Sequence, residues 1–356
     1  MNRSTRRSRY ALLAGLAATL VLTACGSSGS SSATTSTAAS SGDGGSDTSG
    51  AATGDATAAF PVTISSALGD ATIPQQPERV VTISWQNQDV VLALGVVPVA
   101  IPAATYGGDD AQMYPWFHEK LGAAPVPTLM DETSGLQFEA ISAAKPDVIL
   151  GAYSGLTQQD YDTLSKIAPT VAYPEAPYAT DWTDTTTIIG KALGKDAEAQ
   201  QLVADTEDYI KGKGEEFPQL AGKTFAYAAY PNDTELNVYT PTDARVQLLT
   251  GLGLVVAPSV EQLSEGATSF YVPVSFETLD TVTSDILILI ADDEAQKAEL
   301  LANPFIANMP QVKSGAYAIL VGQQFVMATS APSVLSIPWG FDQFVPELAA
   351  AADKVV

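Results

Sequence analysis

Histidine and cysteine are almost missing. The 356 residues hold one of each, His118 and Cys25. A lone cysteine cannot close an intrachain disulfide, and a transition-metal site rich in His or Cys has nothing to be built from. A Ser-His-Asp triad would have to use His118, and no Gly-x-Ser-x-Gly elbow accompanies it. No spacing singles out a carboxylate pair for glycoside cleavage, and Gly251-Leu252-Gly253 closes a helical run instead of opening a phosphate loop. The expectation is a non-enzyme with no cofactor and no metal ligands of its own. Basic residues are scarce too, 17 against 40 acidic, for a formal net charge of −23. A surface of that sign repels nucleic acid and anionic lipid. Beyond residue 24 only two arginines remain, Arg79 and Arg245.

What is present starts with MNRSTRRSRY, which carries four arginines and no acid. It is followed by the apolar run ALLAGLAATLVL and then Leu22-Thr23-Ala24-Cys25. This is the layout of a secretory signal over residues 1–24. The apolar run is short of the ~20 residues a spanning helix needs. Leu-x-Ala-Cys resembles the bacterial lipobox, which implies a diacylglycerol on Cys25 and an exported chain anchored to the outer face of the cytoplasmic membrane. Arg6-Arg7 leaves both general and twin-arginine export open. Residues 25–59 are mostly Ser, Gly, Thr, Ala and Asp, too polar to offset their ordering entropy, and read as a flexible tether.

From Phe60 onward, short apolar runs alternate with helix-period segments. RVVTIS (79–84), VVPVAIPA (96–103), KPDVILGA (145–152) and IAPTVAY (167–173) read as buried strands, with NQDVVLALG (87–95) and FEAISAA (138–144) as helices. After a helical stretch the alternation resumes. GKTFAYAAY (222–230), ELNVYT (235–240), DILILI (285–290) and AYAILV (316–321) read as strands. DARVQLLTGLG (243–253), FETLDTV (276–282) and the closing WGFDQFVPELAAAA read as helices. This predicts an α/β chain of two Rossmann-like lobes with mainly parallel sheets: residues 60–195, a joining helix at 196–217, and residues 218–356.

One phrase occurs twice. QFEAISAAKPDVIL (137–150) and SFETLDTVTSDILI (275–288) coincide at Phe138/Phe276, Glu139/Glu277 and Asp147/Asp285, and at four apolar positions, with an offset of 138 residues. Each copy is a helix with Glu near its start, then Asp leading into a buried strand. The two halves therefore read as related lobes.

On these residues the chain resembles the extracytoplasmic substrate-binding proteins of ABC importers for ferric siderophores, haem and cobalamin. PERVVTISWQNQDVVLALGV resembles the family's opening strand and helix, and FEAISAAKPDVILG its Glu-x-Ile, Lys-Pro-Asp segment. IGKALGKDAEAQQLVAD resembles the lead into its long joining helix, and SIPWGFDQFVPELAAA its ending. The resemblance runs from Pro77 to the end of the chain. It implies two lobes bridged by one rigid helix with a ligand cleft between them, and a monomer that docks on a dimeric permease. It also implies that Glu139 and Glu277 meet arginines of that permease. A Glu in a helix's first turn is favoured by the macrodipole, so both also suit a purely local role.

In open α/β sheets, ligands sit at the strand C-termini. Those ends supply Trp85, Tyr106 and Tyr153 in the first half. They supply Tyr230, Gln324 and Phe325 in the second. Thr133 and Tyr271 each precede a repeated Glu by six residues, and Trp116 and His118 fall in an expected loop, YPWFHEK. Arg245 stands at a helix start, where the macrodipole does not favour a cation. It either pairs with Asp243 or another acid, or meets a ligand. Aromatics with one arginine suit a neutral or weakly anionic chelate, so the expected ligand is a ferric hydroxamate or mixed-type siderophore, with iron arriving already ligated. Haem, which would want an axial Tyr or His (Tyr106, Tyr153, Tyr271 or His118), cobalamin, and more distantly a lipoprotein hydrolase remain as alternatives.

Overall fold

The short Val/Ile/Leu runs form the inner strands of two sheets in the computed structural model, which describes residues 60–355 apart from residue 233. The first sheet has the order Thr128–Met130, Ala100–Pro102, Val80–Thr82, Val148–Leu150, Thr170–Val171, and every pairing is parallel. Its central strands are buried at every residue, as a sheet covered on both faces requires. The second sheet runs Tyr271–Ser275, Glu235–Tyr239, Thr224–Asn232, Ile286–Ala291, Tyr317–Val321, with Val255–Val256 also paired to Thr224–Asn232. Its inner pairings are parallel, and Glu235–Tyr239 is antiparallel to both of its neighbours. A hairpin of Val62–Ser66 and Gly69–Ile73, not foreseen from the sequence, precedes the first sheet.

The doubled phrase explains its own aspartates. Asp147 accepts the backbone N–H groups of Glu78 (2.8 Å) and Arg79 (3.0 Å), just ahead of the strand Val80–Thr82. Asp285 accepts the N–H and hydroxyl of Thr224 (2.8 and 2.9 Å), at the head of the strand Thr224–Asn232. Each carboxylate thus fastens the first strand of its lobe to the strand beside it, Val148–Leu150 or Ile286–Ala291. The helical halves differ. Phe138–Ala143 is an α-helix. Phe276–Thr281, expected to be its counterpart, is a 3-10 turn kinked at Thr278 (φ −119°, ψ 16°).

The joining helix is Asp196–Glu216, 21 residues and so about 30 Å long. Its first half packs into the first lobe through Ala199 and Leu202, its second half into the other lobe through Ile210. It is not the sole tie. Met327, Ala328 and Ala331, from the far end of the chain, pack with Leu92, Tyr114 and Trp116 of the first lobe. The Ser333 hydroxyl and the Trp116 indole N–H both donate to the same oxygen of Asp89, each at 2.7 Å. The segment YPWFHEK is a helix, Pro115–Leu121, with Trp116 buried, in place of the expected loop. Among the described residues no helix is long and apolar enough to cross a membrane. Cys25, the signal and the tether lie outside them.

Candidate functional site

Residues 60–355 fall within one compact unit, and the strand ends of its two sheets open on a cavity of about 870 Å³. That volume lies in the upper part of the range for small-molecule sites. In the first lobe the chain leaves the strand Val80–Thr82 through a tight turn with left-handed residues at Ser84 (φ 61°) and Gln86 (φ 57°). The turn is held from below. Buried Asn87 donates to the carbonyls of Ile83, Trp85 and Tyr153, each at 2.9 Å, and accepts the N–H of Tyr153. Glu132 accepts the N–H of Ser84 at 2.9 Å. These bonds fix Trp85, 45% exposed, on the cavity wall.

Two tyrosines extend this wall. Tyr178 lies 5.6 Å from both Trp85 and Tyr153, ring centre to ring centre. Its ring lies against Gly155, where a Cβ would stand 2.5 Å from a ring carbon, so any side chain there would push the ring away. Tyr153 is buried, and burial pushes its phenol up to about 12. At the rim, Tyr106 donates across the cleft to Asp292 of the second lobe at 2.5 Å. Burial and then that carboxylate hold the Tyr106 phenol above its usual value. The next residue, Gly107 (φ +74°), sits against the Gln323 carbonyl, which a Cβ would meet at 2.8 Å.

The second lobe presents a different surface. Asp243 caps the helix Ala244–Thr250 by accepting the N–H of Arg245. Its two oxygens also accept Nε and Nη2 of the same arginine at 2.8 and 2.9 Å. Nη1 donates to the Ser330 hydroxyl at 3.2 Å, and the guanidinium lies over the Tyr239 ring at 3.8 Å. Burial works against the cation, but the bonds and charge of Asp243 outweigh it, so Arg245 is held above its usual value. Phe270 completes this wall. Among the described residues no three His, Cys, Asp or Glu side chains come together as a metal site.

A profile of the periplasmic binding proteins matches residues 80–320. The chain belongs to that family. PiaA of Streptococcus pneumoniae TIGR4, solved in complex with ferrichrome, is similar with a TM-score of 0.75 and 36% identity, covering 83% of this chain and 99% of PiaA. The Fe(3+)-citrate-binding protein YfmC of Bacillus subtilis is 28% identical over 249 residues, 69% of this chain and 74% of YfmC. The ferric enterobactin-binding periplasmic protein FepB of Escherichia coli is 27% identical over 272 residues, 72% of this chain and 82% of FepB.

Four of the expected ligand residues of this periplasmic binding protein line the cavity: Trp85, Tyr106, Tyr153 and Arg245. Three do not. Tyr230 stacks on Phe276 (ring centres 6.1 Å apart), because it shares the sheet face of Ala226 and Ala228, opposite to that of Tyr227. Tyr271 packs against the core of the second lobe while its neighbour Phe270 takes the cavity side; one position along a strand reverses the face. Phe325 stacks on Trp339 at 4.7 Å, and Val326, Met327 and Ser330 of the same helix face the cavity. Thr133 binds Asp131 in a surface turn, and His118 binds Asp109 at 2.5 Å, both away from the cavity. The sequence reading missed Tyr178, Phe270 and Ser330. An aromatic in the loop after the strand Thr170–Val171 was the available signal for Tyr178. Glu139 and Glu277 are both exposed in the first turn of their segments.

Proposed function

We propose that this periplasmic binding protein captures a ferric siderophore with hydroxamate or mixed-type ligation of the iron, and delivers it to the permease of an ABC importer. The observation that carries the reading is the pairing in the cleft of an aromatic wall (Trp85, Tyr153, Tyr178) with a single arginine whose charge Asp243 already matches. Flat rings suit the apolar body of a bulky chelate. A charge-matched guanidinium offers directional hydrogen bonds to a neutral complex and little net attraction to a strongly anionic one. The solved complex of PiaA with ferrichrome supports the same ligand class. YfmC and FepB, named for ferric citrate and ferric enterobactin, show that relatives of this chain divide among ferric complexes. The haem reading loses support at three of its four axial candidates: His118 and Tyr271 do not line the cavity, and the Tyr106 hydroxyl is committed to Asp292, which leaves Tyr153.

Glu139 and Glu277 would meet basic sites on the two permease subunits, and the lipid on Cys25 would hold the protein at the outer face of the membrane. The chain would act as a monomer, without catalysis, and its iron would come and go with the ligand. The test is a tryptophan-fluorescence titration of the purified protein with ferrichrome, ferrioxamine, a ferric catecholate, haem and cobalamin. Saturable quenching by the hydroxamate complexes is expected, since Trp85 stands on the wall. Quenching by haem or cobalamin alone would overturn the reading.

A further inference from the structure

Asp243 is 5% exposed, lines the cleft and is doubly bonded to Arg245. Its capping of the helix Ala244–Thr250 does not explain its charge, because Asn or Ser caps a helix as well. A buried ion pair is also no better for stability, as a rule, than neutral groups of the same shape. The charge matters to what enters the cleft. A guanidinium has five N–H donors, and Asp243 and Ser330 engage three of them through Nε, Nη2 and Nη1. One donor on each terminal nitrogen is left, and the positive charge behind them is already matched. The charged residues lining the cavity are Asp181, Asp243 and Arg245, one cation against two carboxylates, with Asp292 at the rim on Tyr106.

We propose that Asp243 is the charge selector of the cleft: by matching Arg245 it turns away anionic ferric complexes and leaves Arg245 as a hydrogen-bond donor to neutral ones. The proposal rests on the siderophore reading and names the residue that narrows it. An anion reaching the free donors of Arg245 also comes close to the Asp243 carboxylate, which offsets the attraction, and Asp181 leaves the cleft net repulsive to it. A neutral chelate loses nothing to that repulsion and keeps the directional bonds. Specificity here comes from an element unfavourable to the wrong partner.

The test is Asp243→Asn, which retains an acceptor for the helix start and removes the charge. Affinities of the purified wild type and variant are measured for neutral ferrichrome and for anionic ferric citrate and ferric enterobactin. The ratio of anionic to neutral affinity is expected to rise about tenfold or more in the variant, the scale on which close like charges discriminate partners. Asp243→Ser, a second capping residue without charge, must shift the ratio the same way, and thermal melts identify any variant that is not folded. The wild type alone gives a check that needs no variant. Added salt is expected to strengthen its binding of the anionic complexes relative to ferrichrome, because the repulsion is screened. An unchanged ratio in the folded variants, or anion binding weakened by salt in the wild type, overturns the selector alone. A wild type that binds none of the three complexes overturns the siderophore reading and the selector with it.

Discussion

The two lobes share a scaffold and differ in chemistry. In both, an aspartate fastens the first strand to its parallel neighbour, Asp147 in one lobe and Asp285 in the other. At the strand ends the likeness stops. The first lobe gives the cleft Trp85, Tyr106, Tyr153 and Tyr178; the second gives it the Asp243–Arg245 pair, Phe270 and Ser330. Residues that repeat between the halves build the fold, and residues that do not repeat line the cavity. Glu139 and Glu277 are the exception the comparison must accommodate, since they repeat, are exposed and carry no bond that the scaffold needs.

The largest effect is expected from Glu139→Ala/Glu277→Ala. Uptake in cells is expected to fall about 100-fold or more while ferric-siderophore affinity in solution stays the same, as for charges whose partner lies on another protein. Normal uptake by the double variant would return both glutamates to the scaffold. Next in size is the contrast between the walls. Trp85→Ala is expected to weaken ferric hydroxamate binding about 30-fold and Phe270→Ala about fivefold, as Trp85 has the larger ring and belongs to a wall of three aromatic rings. Equal losses in titration would remove the distinction.

A smaller effect tests the shared scaffold. Asp285→Ala is expected to cost about 2–3 kcal/mol in denaturant unfolding, and Asp147→Ala about 1 kcal/mol less, because the Asp285 bonds are better shielded from water. A separate test concerns the join between lobes. Burial pushes Asp89 up to about 7, so the folded chain keeps a proton that the unfolded chain releases near pH ~4. Stability therefore falls as pH rises from about 4 to about 7 and levels off above that. Glu132, also raised to about 7 by burial, adds to the slope. Asp89→Asn keeps an acceptor for Trp116 and Ser333, so melts at pH 5 and pH 8 should differ less in the variant than in the wild type. An undiminished difference would contradict the assignment.

Much of this was legible in the chain. Buried parallel strands announce themselves as Val/Ile/Leu runs, and a polar helix of about twenty residues between two α/β halves can only be a connector. The doubled phrase marks equivalent strands in the two lobes, Val148–Leu150 and Ile286–Ala291. What failed to show was orientation. Tyr230 and Tyr271 stand in strands near the cleft, but which face a strand residue takes depends on register and sheet order, which local sequence does not carry. Phe325 and Ser330 share one helix, and only the tertiary position of Trp339 decides which of them turns inward. Trp85 and Tyr178 sit on left-handed or tightly held turns set by distant Glu132 and Gly155, and by the bonds of Asn87 to distant Tyr153. The tie through Asp89 likewise arises from contacts made only when the chain is folded.

The most direct test of the central claim is a crystal structure of the protein saturated with ferrichrome, with the iron located by its anomalous scattering. The account predicts a single iron in the cleft, with the chelate touching both the Trp85 ring and the guanidinium of Arg245. An iron outside the cleft, or a chelate resting on one lobe alone, would contradict it.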